Sequence, residues 1–159
     1  MTRTERSLGL KFSLLVGMAF WAAAGTANAG LVFECVLDGP TAGTGSSAVG
    51  YATLALNDSL TEAEYIITYA GLEGNEIASH FHYGDTGAIG PRLLTLPPGS
   101  PKTGVWLLDP EGLALLLEGR VYINVHTSVY PSGEIRGDLA PTTVADQVDS
   151  FGAVKALFR

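Results

Sequence analysis

The amino-acid sequence predicts an all-β protein, an antiparallel two-sheet Greek-key-like sandwich with one short helix before the last hairpin. Eight segments have the composition and alternation of β-strands, and turn residues separate them at short intervals. The 20 glycines and the low content of charged residues agree with such a fold. A parallel sheet would need long helices between its strands, and the sequence does not contain them.

The strand segments before the final hairpin are bounded by turn-forming residues. We predict these strands at residues 31–37, 48–56, 64–70, 77–83, 92–96 and 104–108. Between the first two strands, residues 38–47 are rich in Gly, Thr and Ser. This composition predicts an exposed and mobile loop.

Only residues 109–119 break the strand pattern. Asp109 is a favourable N-cap, Pro110 fits the first helical position and Gly119 is a residue that ends helices. The residues between them are mostly leucine. The sequence therefore predicts one short helix that leads into the last hairpin.

Residues 1–29 have the composition of a secretory signal peptide. Basic residues precede an apolar run over 12–24, and Ala-Asn-Ala at 27–29 is a small-residue cleavage pattern. The apolar run is shorter than the roughly 20 residues of a typical transmembrane helix, and no other apolar run in the chain is long enough to cross a membrane. An uncleaved anchor is the alternative for this segment. We expect an exported protein, periplasmic or extracellular, with no transmembrane segment after signal cleavage.

Cleavage would leave residues 30–159, the size of one domain that buries its own core. We assign residues 30–140 to the β-sandwich and 141–159 to a tail. Apolar residues of the tail recur at the spacing of a helix, at Val144, Val148, Phe151 and Val154. The tail is therefore predicted to be either a docked helix or a frayed end.

The chain that remains after cleavage is strongly acidic. Residues 30–159 contain six basic and fifteen acidic residues, a net charge of −9 with neutral histidines. Such a surface repels phosphate backbones, so the composition argues against nucleic-acid binding. It favours a cationic partner or serves solubility. The partner that we expect is an unidentified extracytoplasmic protein or surface ligand.

Cys35 is the only cysteine, so an intramolecular disulfide is impossible. It alternates with Phe33 and Leu37 in the first predicted strand, and we therefore expect it to be buried. A reactive thiol would need an activating neighbour, and none lies close in the sequence. The pattern predicts an inert thiol.

Residues 120–139 are the most strongly patterned stretch of the chain, and they predict a β-hairpin. Apolar and polar residues alternate over 121–126 and again over 134–139, as in half-buried strands. Pro-Ser-Gly at 131–133 supplies the turn, because proline fixes one φ angle and glycine tolerates a positive one.

Parity restricts the pairing of this hairpin, since residues directly opposite on antiparallel strands point to the same side of the sheet. In one allowed register, His126 lies opposite Glu134, and Asn124 lies opposite Arg136. In the other, His126 lies opposite Arg136, and Asn124 lies opposite Asp138. Both registers predict a single face on which these five polar side chains form a compact cluster.

We assign a structural polar cluster to the hairpin, formed by Asn124, Thr127, Glu134, Arg136 and Asp138. Within it, Glu134 and Arg136 share one face of a strand and are expected to form an ion pair. General acid–base catalysis would need a paired carboxylate with a raised pKa in a cleft, and a sequence alone cannot show one. We therefore expect no catalytic residue and no enzymatic activity.

All three histidines lie in these patterned segments. His80 and His82 are two residues apart in a predicted strand, so they project from the same face. If that strand packs near the polar face of the hairpin, they converge with His126 in an arrangement that suits Cu or Zn with an open coordination position. The alternative is that the histidines only form hydrogen bonds that fix the hairpin.

These motifs resemble the signature of CHRD domains, the module repeated in chordin and found singly in many bacterial secreted proteins. The similar segments are Asn-Val-His-Thr at 124–127, Gly-Glu-Ile-Arg-Gly at 133–137, and His-Phe-His-Tyr-Gly at 80–84, which matches the His-x-His-x-Gly element of the family. The resemblance covers residues 31–139. It implies a secreted β-domain, and for the single-domain bacterial members it implies no established activity.

The segment at 80–85 also resembles copper/zinc superoxide dismutases, which are Greek-key β-sandwiches with a His-x-His copper pair on a strand. That family uses more histidines than this chain possesses, and an intrachain disulfide that one cysteine cannot form. The resemblance implies a shared fold and carries no catalytic role to this chain.

Two functional hypotheses follow. The first is an exported CHRD-domain protein that acts as a non-enzymatic binding or structural module. The second is a metal-binding protein that holds Cu or Zn on His80, His82 and His126, with superoxide-dismutase-like redox chemistry as an extension. We expect no cofactor other than such an ion.

Overall fold

The computed structural model describes residues 30–142. The predicted signal peptide at 1–29 and the predicted tail helix over 144–154 lie outside the described residues. Within the described part, no helix is long and apolar enough to cross a membrane.

Nine strands and two short helices make up this part of the chain. In chain order they are β1 (Val32–Asp38), α1 (Gly39–Ala42), β2 (Val49–Leu56), β3 (Glu62–Ala70), β4 (Glu76–Tyr83), β5 (Arg92–Thr95), β6 (Lys102–Leu107), α2 (Pro110–Leu117), β7 (Val121–Thr127), β8 (Ile135–Asp138) and β9 (Ala140–Pro141). Each strand predicted before the hairpin is present, with ends that differ by at most two residues from the prediction. The predicted helix before the hairpin is α2, and the side chain of its N-cap Asp109 accepts a hydrogen bond from the Gly112 amide at 2.7 Å.

All strand pairs among the described residues are antiparallel, and they form one sheet in the order β5-β4-β7-β8-β1-β2-β3-β6, with the short β9 also paired to β1. The prediction of an all-β antiparallel fold is confirmed. The predicted division into two sheets is not confirmed, because β1 pairs with β2 on one side and with β8 on the other. Hydrogen bonding therefore continues through the whole sheet.

The sheet curls until its two ends approach each other around the hydrophobic core. Phe81 of β4 stacks on Trp106 of β6 with ring centroids 5.3 Å apart, and its ring meets Tyr65 of β3 edge to face at 5.5 Å. These strands are distant in the sheet order, so the sheet is nearly closed into a barrel around these aromatic rings. Helix α2 adds the fully buried Leu116 to the same core.

The segment after β1 differs from its prediction as an exposed loop. Residues 39–42 form the helical turn α1, which begins where the Asp38 carboxylate accepts a hydrogen bond from the Thr41 amide at 2.7 Å. Further along, Ser46 is buried, and its hydroxyl donates to Glu134 at 2.7 Å. The hydrogen bond from Ser46 to the buried Glu134 carboxylate anchors this segment to the hairpin. The composition of the segment gives no sign of such a distant partner.

A buried ion pair joins the two ends of the curled sheet. The Lys102 ammonium of β6 is completely buried and donates to the Glu76 carboxylate of β4 at 2.6 Å. The Tyr69 hydroxyl of β3 donates to the same carboxylate, as do the Ser79 hydroxyl at 2.8 Å and the Gly99 amide at 2.7 Å. Burial by itself would raise the pKa of Glu76, but these hydrogen bonds outweigh it and lower the pKa to about 2.

We predict that Lys102→Met lowers the free energy of unfolding by about 3 kcal/mol, because it leaves the Glu76 carboxylate buried without its cation. Urea unfolding at pH 7 measures this change. The lowered pKa of Glu76 stabilises the fold above pH 4.5, and this contribution is lost as the pH falls towards 2. The acid dependence of stability should therefore be shallower in Lys102→Met.

The double variant Glu76→Gln with Lys102→Met is the control for this prediction. It should lose less stability than the two single changes added together, because neither partner is left as an unpaired charge. A loss below about 1 kcal/mol in Lys102→Met would show that the ion pair does not hold the ends of the sheet together.

Candidate metal centre

Strand pairing places the three histidines on one face of the sheet. His80 of β4 lies opposite Asn124 of β7, while Ala78 lies opposite His126. His82 follows two residues after His80 and therefore projects from the same face. Phe81, which lies between the two histidines in the sequence, points into the core on the other side of the sheet. The structure therefore brings together the three histidines that the sequence analysis singles out.

The imidazole rings form a compact triangle, which we call the histidine triad. The ring centroids of His80 and His126 are 5.1 Å apart, those of His80 and His82 5.3 Å, and those of His82 and His126 6.0 Å. One ligand nitrogen from each ring lies within 4.8 Å of the other two. Zinc–nitrogen bonds of about 2.0 to 2.1 Å in tetrahedral geometry need separations of about 3.4 Å, so a pair of nitrogens at the 4.8 Å limit would have to approach by about 1.4 Å to hold an ion.

Each ring of the triad carries a buried nitrogen without a hydrogen-bond partner. These atoms are Nδ1 of His80, Nε2 of His82 and Nε2 of His126. A buried polar atom without a partner is uncommon in folded proteins, because it loses its bonds to water and gains none in return. Each ring of the triad therefore has one buried nitrogen that bonds no other atom of the described residues.

Backbone carbonyls orient two of the rings. Nδ1 of His82 lies 2.9 Å from the Gly90 carbonyl oxygen, and Nδ1 of His126 lies 2.9 Å from that of Pro131. A carbonyl oxygen only accepts, so Nδ1 of each of these rings carries a hydrogen. In the neutral form of either ring, the lone pair is therefore on Nε2. Metal-binding histidines characteristically donate their second ring N–H to such an acceptor.

The surroundings keep His80 and His82 uncharged. Burial, with smaller contributions from His126, His82 and Arg92, lowers the pKa of His80 to about 4. Burial also lowers the pKa of His82, although its backbone hydrogen bond opposes this shift. Both rings are therefore neutral at neutral pH. Neutral imidazole is the form that binds a metal ion.

Arg136 lies on the same face as the triad and bonds the loop over residues 84–91. Its guanidinium donates to the Ala88 carbonyl at 2.6 Å and, from Nε and Nη2, to the Asp138 carboxylate at 2.9 and 2.7 Å. The predicted ion pair between Arg136 and Glu134 is wrong, since Asp138 takes that place. Arg136 also lies over the ring of Tyr122, with 3.5 Å between the guanidinium carbon and the ring centroid.

The hairpin adopts the register that pairs Asn124 with Arg136, the first of the two allowed by parity. The prediction that Glu134 shares this face is wrong. The amide of Glu134 donates to the Val125 carbonyl at 2.7 Å, although Ile135 is the residue paired with Val125. The alternation is interrupted at this point, and the Glu134 side chain lies on the other side of the sheet.

Glu134 is instead the centre of a separate buried network. Its carboxylate accepts hydrogen bonds from the Thr127 and Ser46 hydroxyls and from the Glu73 amide, each at 2.7 Å. Burial would raise the pKa of Glu134, but these bonds lower it. The predicted polar cluster is therefore divided between the two sides of the sheet. Asn124, Arg136 and Asp138 lie with the triad, whereas Thr127 and Glu134 do not.

Asn124 explains why the turn of the hairpin contains a glycine. Its amide nitrogen donates to the Ser132 carbonyl at 3.0 Å. A Cβ atom at Gly133 would lie 2.1 Å from the Asn124 Oδ1, and Gly133 has a φ of 125°, which other residues rarely adopt. The Asn124 amide occupies the space that a side chain at Gly133 would need.

Sequence reasoning missed Tyr122 and Gly90 as residues of this site. Tyr122 is buried beside His82, and the two rings stack with centroids 5.2 Å apart. Its even number places it on the polar face of the hairpin, so parity could have identified it. Gly90 carries no such signal, because only the folded loop brings its carbonyl to His82.

Cys35 is not part of the site. It is buried, as the sequence predicts. Burial, together with the charge of Asp138, raises the pKa of its thiol to about 12. The thiol stays protonated at neutral pH and is a poor metal ligand in this state.

We predict that Arg136→Ala lowers the free energy of unfolding by about 2 kcal/mol or more, because it leaves the Asp138 carboxylate and the Ala88 carbonyl without their donor. Chemical denaturation measures the loss. Arg120→Ala is the matched control, since this arginine is partly exposed and its ion pairs are 3.7 Å long. It should change stability by about 0.5 kcal/mol or less. A similarly small effect of Arg136→Ala would contradict the prediction.

Comparison with known proteins agrees with the motif analysis. A family model described as the CHRD domain matches residues 33–139, which is more than half of the chain and includes the whole triad. Searches of curated proteins and of solved structures found no match. The chain therefore belongs to the CHRD-domain family, a family of the binding or structural kind.

Proposed function

We propose that this protein is an exported, non-enzymatic CHRD-domain module that binds one Cu or Zn ion through His80, His82 and His126. One observation carries the proposal. Each of the three imidazole rings has one buried nitrogen without a hydrogen-bond partner, and the three rings each bring a ligand nitrogen to within 4.8 Å of the other two.

This observation favours a metal site over a purely structural hydrogen-bond network. In a structural network, each buried imidazole nitrogen would have a donor or an acceptor within the protein. Two rings of the triad meet this requirement at Nδ1 and fail it at Nε2. A single cation would satisfy all three unpaired nitrogens at once.

The ligand set favours copper or zinc. Imidazole nitrogen suits Zn, Cu, Fe and Ni, and among divalent ions the intrinsic affinity of such sites is highest for copper. Three protein ligands leave a fourth position for water or another small ligand. The redox extension is not part of the proposal, because dismutases of the copper/zinc type use more histidines than the three in this chain.

Export is the second part of the proposal, and the signal-like composition of residues 1–29 supports it. Gly30 is already packed against the domain, since a Cβ atom there would lie 2.5 Å from the Leu56 carbonyl oxygen. Cleavage after Ala29 would therefore leave almost no free chain before β1. An exported metal-binding module of this kind would act on ions or partners outside the cytoplasm.

We predict that the full chain, expressed in a bacterial host, is recovered outside the cytoplasm with Gly30 as its first residue. N-terminal sequencing and intact mass check this result. Ala27→Arg with Ala29→Arg removes the small residues that cleavage requires, and this control should stay uncleaved. Recovery of uncleaved wild-type chain in the membrane fraction would indicate an anchor instead.

We predict that the purified mature protein binds one equivalent of Cu(II) or Zn(II), and that His82→Ala weakens this binding by about 100-fold or more, because removal of a ligand leaves an incomplete site. Competition titration against a chromophoric chelator measures the affinity. Cys35→Ala tests the only thiol and should bind as the wild type does. Thermal unfolding of each metal-free variant checks that the fold is retained.

Two outcomes would contradict the metal proposal. The first is a wild-type protein that binds no ion at micromolar concentration. The second is binding that persists unchanged in His82→Ala, which would place the ion elsewhere. The first result would leave a binding or structural module without a metal, and the second would leave the histidine triad without its proposed ion.

A further inference from the structure

The loop over residues 84–91 is bonded to the sheet beside the histidine triad at several points. At its ends, the Gly84 amide donates to the Arg120 carbonyl at 2.9 Å, and the Tyr83 amide donates to the Pro91 carbonyl at 3.1 Å. Within it, the Ala88 carbonyl accepts from Arg136 at 2.6 Å. The path of the loop is therefore determined by contacts with the strands that carry the site.

Gly90 is the point at which this loop meets the triad. Its carbonyl oxygen lies 2.9 Å from Nδ1 of His82, and its amide donates to the Tyr122 hydroxyl at 2.9 Å. A Cβ atom at this position would lie 1.6 Å from the Tyr83 carbonyl oxygen, so no other residue fits without a shift of the loop. The backbone of Gly90 thus connects the Tyr122 hydroxyl to the His82 imidazole.

Tyr122 contacts His82 directly as well. The two rings stack at an interplanar angle of 10°, and Tyr122 is only 1% exposed. Arg136, which bonds the loop, also lies over the Tyr122 ring. Tyr122 therefore contacts both the imidazole and the loop residue whose carbonyl orients it, while Arg136 packs on Tyr122 and bonds the same loop at Ala88.

We infer that Tyr122 and Arg136 are positioning residues of the metal site, which keep Nε2 of His82 directed at the ion through the Gly90 backbone. This inference rests on the proposed metal-binding function and adds residues that are not ligands. Without the Tyr122 hydroxyl, the Gly90 amide loses its acceptor, and the carbonyl that holds the Nδ1 hydrogen of His82 is no longer fixed. The ring can then rotate or change tautomer, and the lone pair of Nε2 leaves the site.

Arg136 has a role that lysine cannot replace. Its planar guanidinium donates to the loop carbonyl of Ala88 and to the Asp138 carboxylate at the same time, and it lies flat enough to approach the Tyr122 ring at 3.5 Å. Lysine would retain the charge but would lose the forked donors and the stacking. Arg136→Lys therefore separates the effect of charge from that of geometry.

The experiment compares metal affinity in Tyr122→Phe, Arg136→Lys and the wild type by competition against a chelator. Loss of a group that orients a metal-binding histidine characteristically reduces metal affinity about 10- to 100-fold, and we expect a loss in this range for both variants. Phenylalanine keeps the ring stack, so Tyr122→Phe removes only the hydroxyl. Tyr130→Phe is the matched control, because it removes a hydroxyl that bonds Glu73 at 3.0 Å, outside the triad. Its affinity should equal that of the wild type.

Two further measurements distinguish positioning from a general loss of stability. The first is the electron paramagnetic resonance spectrum of the Cu(II)-loaded protein, which should change in Tyr122→Phe and not in Tyr130→Phe. The second is imidazole nitrogen NMR of the metal-free protein. It should show a protected Nδ1 hydrogen on His82 in the wild type, with that protection lost in Tyr122→Phe.

The outcomes separate this inference from the function on which it rests. If the wild type binds metal and Tyr122→Phe binds it with the same affinity and the same spectrum, the positioning role is wrong and the proposed function stands. If the wild type binds no metal, the proposed function is wrong, and Tyr122 and Arg136 are then not positioning residues of a metal site. In that case the NMR result still shows whether Tyr122 orients His82.

Discussion

The antiparallel pairing of β4 with β7 is the constraint on which the rest of the structure depends. It aligns two strands that are distant in the sequence, so that alternate residues of both strands share a face. On the inner side, Phe81, Ile123 and Val125 are completely or almost completely buried in the core. On the other side lie the three imidazoles. A shift of one residue in either strand would bury the imidazoles in the core and expose the aromatic and branched side chains, so the core and the histidine triad determine the same register.

Two buried carboxylates stabilise the sheet at places that strand pairing alone does not join. Glu76 connects β4 to Lys102 and Tyr69 at the other end of the curled sheet, and Glu134 connects the hairpin to the segment after β1. Each accepts enough hydrogen bonds to stay ionised despite its burial. The contacts of Glu76 and Glu134, and not the histidine triad, join the distant parts of the sheet. The fold therefore does not require the unpaired imidazole nitrogens of the triad to form hydrogen bonds.

Local patterns in the sequence predicted the parts of the fold that depend on neighbouring residues. Alternation and turn chemistry predicted the strands, and parity restricted the hairpin to two registers, one of which places Asn124 opposite Arg136 as in the structure. Contacts between distant segments were not predictable in this way. The alternation is interrupted at Glu134, so its carboxylate lies on the side of the sheet opposite to the predicted one. Strand β1 pairs with both β2 and β8, so the structure has one continuous sheet where two were predicted. Gly90 could not be identified either, because its role comes from a carbonyl group that every residue possesses.

The energetic balance of the triad gives a last argument for a role beyond the fold. Each buried polar atom without a partner costs about 1 to 3 kcal/mol, and His80, His82 and His126 each carry one. This cost is a large part of the roughly 5 to 15 kcal/mol by which a domain of this size is stable. Apolar side chains at these positions would avoid the cost, which supports the proposed metal role over a purely structural one. An ion bound as proposed would satisfy all three nitrogens and add about 4 kcal/mol of stability at a concentration 1,000 times its dissociation constant. The fold would then be most stable when its metal site is filled.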